Sequence, residues 1–524
     1  PEPIANRRAA IPAALAALAM RCLEKRPADR PQRADELLQA LDGVAISSGG
    51  SAPSAPARPS VAVLPMVNTS GDPENEHFSD GLTDELIGAL GKVESLSVTG
   101  RTSSFALKGK GLDIRAIADK LKVATVLEGS VRRAGDRLKV RVQLVNAEGG
   151  VIWSEGYDRK LEDVFAVQEE IAQAVVRSLE IHLAPARGPL VRPATFDLNA
   201  YDLFLKGRFY RRRLNPGDLR RAIGYFEQAI ALDPTYAPAF AWLCNAHMLL
   251  VVFGSRPARD ETPRCRAYAA KAVELDGSLA DAHWALGEVL MNSWDWRRAD
   301  QEFQRALALE PGNVDARHMY AILLLNQGRF EESTLELTRT LAADPLLAEA
   351  SVTFARLHLG LGRPDRALPY LLEAVELTPA SVYAHAWLGH AYLQLGRYDE
   401  AIAEFAIAAA TGDTSSSAQL AYAYAVSGRS PEAMAILQPL LAPAEGGYTP
   451  PYSIAMAYIG LGDQDAAFHW LERAYAEGDP WLEFALTGMR AFEPLRGDPR
   501  FTELVHRMRL TPATMSQATE NKSP

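Results

Sequence analysis

The feature that most restricts this chain is a spacing. Small residues recur 34 positions apart at Gly287, Ala321, Ala355 and Gly389, and the series extends to Gly207, Cys244, Ala421 and Ala455 at intervals of 32 to 43. A second small-residue series, Ala299, Ser333, Ala367, Ala401, Ala433 and Ala467, runs in register with it. Gly328, Gly362, Gly396, Gly428 and Gly462 lie between the two, and Pro311, Pro345, Pro379 and Pro480 follow the second. Two antiparallel helices per unit explain every element of this pattern. Glycine makes the turn, and proline stops the second helix because its ring cannot continue one. The small residue on the first helix lets the second approach, and a large apolar residue there, such as Phe303 or Phe405, fills the space beside it. One hairpin cannot bury its own face, so the units stack into a superhelix. The pattern covers residues 199–510 and predicts about eight units, with insertions near Arg211 and after Leu250 in the first two.

Two further segments precede this array. Residues 43–59, GVAISSGGSAPSAPARP, are Gly, Ser, Ala and Pro without periodicity, which reads as a disordered linker. Residues 60–184 alternate strand and helix signals in the order β-α-β-α-β-β-β-α. Phe78 to Val93 and Asp113 to Leu121 have helical spacing. Two turn signals, Ala134-Gly135-Asp136 and Glu148-Gly149-Gly150, divide an antiparallel meander. The expected fold class is therefore multidomain: a small α/β (α+β) sandwich followed by an all-α superhelix, with residues 1–42 as a short helical piece and 511–524 as a disordered tail.

Charge and composition narrow the partners. The net charge is −10, from 55 basic and 65 acidic residues, which disfavours nucleic acid. Three cysteines, Cys22, Cys244 and Cys265, are too few for a disulfide framework and point to a reducing, cytoplasmic setting. The apolar run Ile11 to Met20 holds Pro12 and is too short to span a bilayer. No phosphate-binding loop, dinucleotide fingerprint or metal-ligand spacing occurs, so no catalytic, metal or cofactor residue is assigned. His385 and His390 are read as packing or surface residues. Asp80, Asp84 and Glu85 are read as favourable charges at a helix N-terminus, and Arg132, Arg133, Arg137, Lys139 and Arg141 as a solvated strand face.

One binding surface does follow from the repeats. Stacked hairpins present the first helix of each unit on a concave groove. The residues expected to face it are Trp284, Glu288, His318, Ile322, Arg356, His390 and Tyr422, a mixed aromatic, apolar and charged set suited to an internal peptide segment. The oligomeric state is not legible.

Three resemblances add to this reading. The units resemble tetratricopeptide repeats (TPR). The middle segment is similar to the amino-terminal α/β domain of TolB-like proteins, through AVLPM, GDPENEHFSDGLTDEL, GRTSSFALKGK, LEGSVRR and VIWSEGYDR. Ile11 to Asp42, with CLEKRPADRP, resembles the last helices of a bacterial Ser/Thr protein kinase domain. That likeness implies that Arg30 pairs with a glutamate outside this chain, that ATP and Mg belong only to a missing kinase lobe, and that the chain, which starts at Pro1, is a fragment. The implied role is an interaction and regulatory region of a bacterial signalling protein, with an active kinase upstream as the alternative. A small-ligand role for the α/β domain is a weaker expectation.

Overall fold

A computed structural model describes residues 21–23, 26, 58–181, 189–254, 256–441 and 448–510. The chain divides into residues 1–58 and 59–524. Of the first unit only Arg21–Leu23 and Arg26 are described. The kinase-like stretch with Arg30, the linker up to residue 57 and the tail 511–524 lie outside the described residues.

The second unit opens with a sheet. Strands β1 (Ser60–Val63), β2 (Val67–Asn68), β3 (Ser97–Val98), β4 (Thr125–Ala134), β5 (Arg137–Asn146) and β6 (Val151–Lys160) are joined with helices α1 (Glu76–Gly91), α2 (Arg101–Ala106), α3 (Ile114–Leu121) and α4 (Val164–Ser178). The order is β3-β1-β4-β5-β6, with β2 beside β4. β1 runs parallel to β3 and β4, while β4, β5 and β6 form the antiparallel meander. Gly135, at φ 60°, lies in the two-residue turn that pairs Ala134 with Arg137, a geometry that needs positive φ. The expected β-α-β-α-β-β-β-α order holds, with two additions. β2 is a short extra strand, and Arg101, read as strand end, starts the extra helix α2 because Gly100 takes an extended N-cap conformation.

Eight helix hairpins follow: α5 (Leu198–Arg211) with α6 (Pro216–Leu232), α7 (Ala237–Val252) with α8 (Ala258–Leu275), α9 (Ala280–Met291) with α10 (Trp296–Leu309), α11 (Val314–Asn326) with α12 (Phe330–Ala343), α13 (Ala348–Gly360) with α14 (Pro364–Leu377), α15 (Val382–Gln394) with α16 (Tyr398–Ala409), α17 (Thr414–Val426) with α18 (Ser430–Leu441), and α19 (Pro451–Gly460) with α20 (Gln464–Glu477). Two short helices close the described chain, α21 (Leu482–Gly488) and α22 (Pro499–Arg507), joined by a 3-10 turn over Arg490–Leu495.

The small residue on each first helix sets the size of its neighbour. A Cβ on Gly389 would stand 2.8 Å from the Phe405 ring, and one on Gly207 would stand 2.4 Å from Phe226. Where the first helix carries alanine instead, at Ala321, Ala355, Ala421 and Ala455, the residue sixteen positions on is leucine: Leu337, Leu371, Leu437 and Leu471. All of these side chains are fully buried. Glycine with phenylalanine and alanine with leucine fill the same space, as close packing requires.

One hydrophobic core joins the sheet to the repeats, running from Val61, Leu82 and Val140 through Phe204 to Leu482. α1 and α4 cover one face of the sheet as part of it. On the other face α3 packs Ile117, Ala118 and Leu121 against Ala62 and Val126.

Candidate functional site: the concave face of the repeats

The first helices carry the seven expected groove residues inward, and the chain itself meets most of them. Trp284 is 1% exposed and packs edge-on to Trp242 at 5.4 Å. Glu288 accepts from Asn245 Nδ2 at 2.9 Å, and burial pushes its carboxyl up to about 7. Thr353 Oγ1 lies 2.9 Å from His318 Nε2 and already donates to the Glu349 carbonyl. The ring nitrogen is therefore the donor, and burial pushes the imidazole down to about 4. Ile322 is half-buried in the same core.

Arg356 is 2% exposed. Its guanidinium lies 4.3 Å from the Phe484 ring and 5.2 Å from both Trp387 and Trp481, and its Nη1 donates to Tyr383 Oη at 3.0 Å. Phe484 belongs to α21. That helix is buried at every position and rests on α11 and α13, in the middle of the concave face. Glu483 accepts from Asn326 Nδ2 at 3.1 Å and from Trp294 Nε1 at 3.4 Å, and burial pushes it up to about 8. The groove is thus occupied over its central repeats by the segment that follows the last hairpin.

The array also closes on itself. Trp481 Nε1 donates to the Val252 carbonyl at 3.1 Å, and Arg259 lies 3.5 Å from Glu477, so the eighth hairpin meets the second. Trp294 stacks on Tyr475 at 5.0 Å, and Trp296 Nε1 donates to the Met508 carbonyl at 3.0 Å.

One part of the concave face stays open. A cleft of about 350 Å³ lies beside the end of α21, lined by Trp387, His390, Gln394, Tyr398 and Tyr422 from the repeats and by Gly488–Ala491 from the C-terminal segment. His390 is buried between Trp387 and Phe405, each at 5.1 Å, and burial pushes its imidazole down to about 4. Tyr422 is half-buried, and its phenol is pushed up to about 12 by burial. His385 points elsewhere. Its ring nitrogens face Glu404 (2.6 Å) and the Pro379 carbonyl (3.0 Å), as those of His283 face Glu302 and the Gly277 carbonyl. Arg317 repeats the same pattern on Glu336 and the Pro311 carbonyl. These are pins between the two helices of a hairpin.

Asp84 and Glu85 do not act as helix-end charges, because they sit at an interdomain contact, whereas Asp80 is paired within the α/β domain. Asp84, 1% exposed at its side chain, pairs with Arg101, Arg208 and Arg212. Asp80 pairs with Lys108, and Glu85 lies 3.2 Å from Arg208. Arg208 and Arg212 come from the end of α5 and its following turn, the place marked as an insertion. At the other end of the contact, Asp344 accepts from the Thr102 and Ser103 amides at 3.0 and 2.7 Å and from Ser103 Oγ. Burial pushes Asp344 up to about 6. A Cβ on Gly312 would stand 2.6 Å from the Gly91 carbonyl, so the two backbones touch there. The basic strand face is also engaged: Arg137 and Lys139 pair with Asp158, and Arg133 pairs with Asp202 on α5.

Sequence periodicity missed both the occupying segment and the Asp84 contact. The signal was present in DPWLEFAL, a dense aromatic and apolar run after Pro480 that has no partner helix in the repeat register.

Comparison with known proteins agrees with the hairpin geometry. Residues 290–351 and 352–417 match models of the tetratricopeptide repeat. Residues 57–174 match the second domain of HilA/YgeH-like transcriptional regulators. A curated relative from Rhizobium meliloti (strain 1021), named putative adenylate cyclase 3, is 38% identical over 260 residues. That match covers 48% of this chain and 42% of the relative, so it spans less than half of that protein's length. Among solved structures, YrrB, described as a TPR protein with an unusual peptide-binding site, is 24% identical with a TM-score of 0.25, over 35% of this chain and 90% of its own. PilF of Pseudomonas aeruginosa is 19% identical with a TM-score of 0.29, over 52% and 97%. The Cut9–Hcn1 hetero-tetramer of the APC/C is 15% identical with a TM-score of 0.43, over 66% and 63%. The hairpins within residues 290–417 of this chain are tetratricopeptide repeats.

Proposed function

We propose that this chain is a non-catalytic interaction and regulatory region of a signalling protein, and that it receives a protein or peptide segment at the open cleft of its repeat array. One observation carries the reading: the chain's own C-terminal segment fills the centre of the concave face and leaves a cleft between its Gly488–Ala491 stretch and His390 and Tyr422. On this view those two residues touch the partner, while Arg356 lies under the internal segment and Trp284, Glu288, His318 and Ile322 are taken up by packing within the array. The curated relative, named a putative adenylate cyclase, supports placing such a unit beside an output domain. The kinase reading of residues 11–42 rests on the motif quoted above, and the TolB-like reading of the α/β domain on its quoted strings. Reading the upstream coding sequence for an output domain tests that placement. A cytoplasmic setting belongs to the same proposal.

The binding reading is tested by installing a photo-crosslinking amino acid at Tyr422, and in parallel at the exposed Leu372 of α14. Crosslinked protein at position 422 and none at 372 is expected. Equal yields at both sites would contradict it.

A further inference from the structure

The chemistry of the cleft restricts what fits it. The lining is mostly aromatic and aliphatic, and Arg490 is its one charged residue among the described residues. The Arg490 guanidinium rests on the turn at Gly362, and its Nε lies 3.1 Å from Glu493. Two more arginines flank that turn. Arg363 and Arg366 are exposed and make no ion pair among the described residues, and after burial their charges add to the lowering of the nearby His358. The corresponding turn arginines of neighbouring hairpins, Arg329, Arg397 and Arg429, are each bound by a glutamate three residues on, at Glu332, Glu400 and Glu432. In this hairpin the residue three positions after Arg363 is Arg366. Asp365 lies between them in sequence, Glu493 pairs with Arg490, and Asp399 and Glu400 follow the lining residue Tyr398. The Gly362 side of the mouth therefore carries two arginines without an ion pair among the described residues, in a chain whose net charge is −10.

Gln394 adds a polar request. Its Nε2 donates to the Leu359 carbonyl at 3.3 Å, while its Oε1 is buried without a hydrogen-bond partner among the described residues. A buried acceptor left unpaired costs free energy, and rotation of the Gln394 amide toward the cleft it lines would let an incoming N–H satisfy it. An aromatic-lined recess with one unpaired amide oxygen and a cationic rim matches the anchor-and-rim anatomy of protein recognition sites.

We propose that the cleft between α13–α17 and Gly488–Ala491 binds an acidic peptide segment, inserting one large aromatic or aliphatic side chain beside Trp387 and Tyr422, presenting a backbone N–H to Gln394, and setting its carboxylates against Arg490, Arg363 and Arg366. This occupant rests on the reading that the cleft binds protein, and names its chemistry. The basic rim steers the encounter, so binding weakens with salt.

The test is selection of a random twelve-residue peptide display library on the full chain, with sequencing of the recovered pool. Parallel selections use Arg363→Glu, Arg490→Glu and Tyr422→Ala, each checked for an unchanged circular dichroism spectrum. Arg363→Glu changes an exposed side chain without an ion pair, so it keeps the test valid if another variant misfolds. The expected pool is enriched in Asp and Glu around a Trp, Tyr, Phe or Leu. Its recovery should fall roughly tenfold with each charge reversal, which corresponds to about 1.4 kcal/mol, and be lost with Tyr422→Ala. A neutral or basic pool that still depends on Tyr422 would overturn the acidic occupant while leaving peptide binding in place. A pool indistinguishable from the unselected library would overturn both.

Discussion

The Arg356 guanidinium lies 4.3 Å from the centre of the Phe484 ring, joining the middle of the repeat array to the segment that follows its last hairpin. No carboxylate binds this arginine among the described residues. Ring faces of Phe484, Trp387 and Trp481 surround it, and Tyr383 takes one of its N–H groups. A cation on aromatic faces is favourable where water is excluded. The inner wall of the array is therefore the seat of α21 over its central repeats, and access is limited to the cleft beyond it.

Phe484→Ala removes a fully buried ring and uncovers Arg356. The expected loss is about 3–5 kcal/mol, measured by urea unfolding. Limited proteolysis should then cut first between residues 479 and 510. A loss below 1 kcal/mol with unchanged cleavage would show that α21 does not hold the groove.

Gly389 and Phe405 should behave as a unit. Gly389→Ala alone puts a Cβ 2.8 Å from the ring and should cost about 1–3 kcal/mol. Adding Phe405→Leu recreates the alanine–leucine pair of the neighbouring hairpins and should recover part of that cost. A double-mutant cycle on denaturation midpoints measures the coupling. Strict additivity would contradict the exchange rule.

This exchange was half legible before the structure. The 34-residue spacing identified the small residues, the turns and the fillers Phe303 and Phe405, because each rests on local geometry that repeats. What repeats cannot encode is a contact made once. Asp84 looked like a charge at a helix end because its partners Arg208 and Arg212 stand more than a hundred residues away. Glu483 and Phe484 follow the last periodic unit, so nothing marked them as occupants of the groove. The repeat spacing puts Arg356, His390 and Tyr422 on one open surface, and the structure divides them between a covered floor and an open cleft.

Asp84→Ala should uncouple the α/β domain from the repeats. It leaves Arg101, Arg208 and Arg212 close together without their shared carboxylate, and breaking such a buried pair costs about 3–5 kcal/mol. Calorimetry should show the single transition splitting in two, with the α/β domain melting first. One unshifted transition would contradict this contact's role.

Glu483 and His390 should tilt stability in opposite directions between about pH 4 and 8. Glu483 is raised to about 8 in the folded chain. It holds its proton where the unfolded chain has lost it, so its contribution is full below about pH 4.5 and is lost as pH rises towards 8. His390 is lowered to about 4, so its contribution is present above about pH 6.5 and is lost as pH falls towards 4. Glu483→Gln should remove the loss between about pH 4.5 and 8 from a melting-temperature profile, and His390→Gln the loss between about pH 6.5 and 4. Identical profiles for both variants and the parent would refute this assignment.

Hydrogen–deuterium exchange of the full chain tests the central claim most directly. If α21 fills the concave face, the amides of Leu482–Gly488 exchange as slowly as those of α11 and α13, on which it rests. Exchange of that segment within seconds, while α11 and α13 stay protected, would show an open groove and contradict the account.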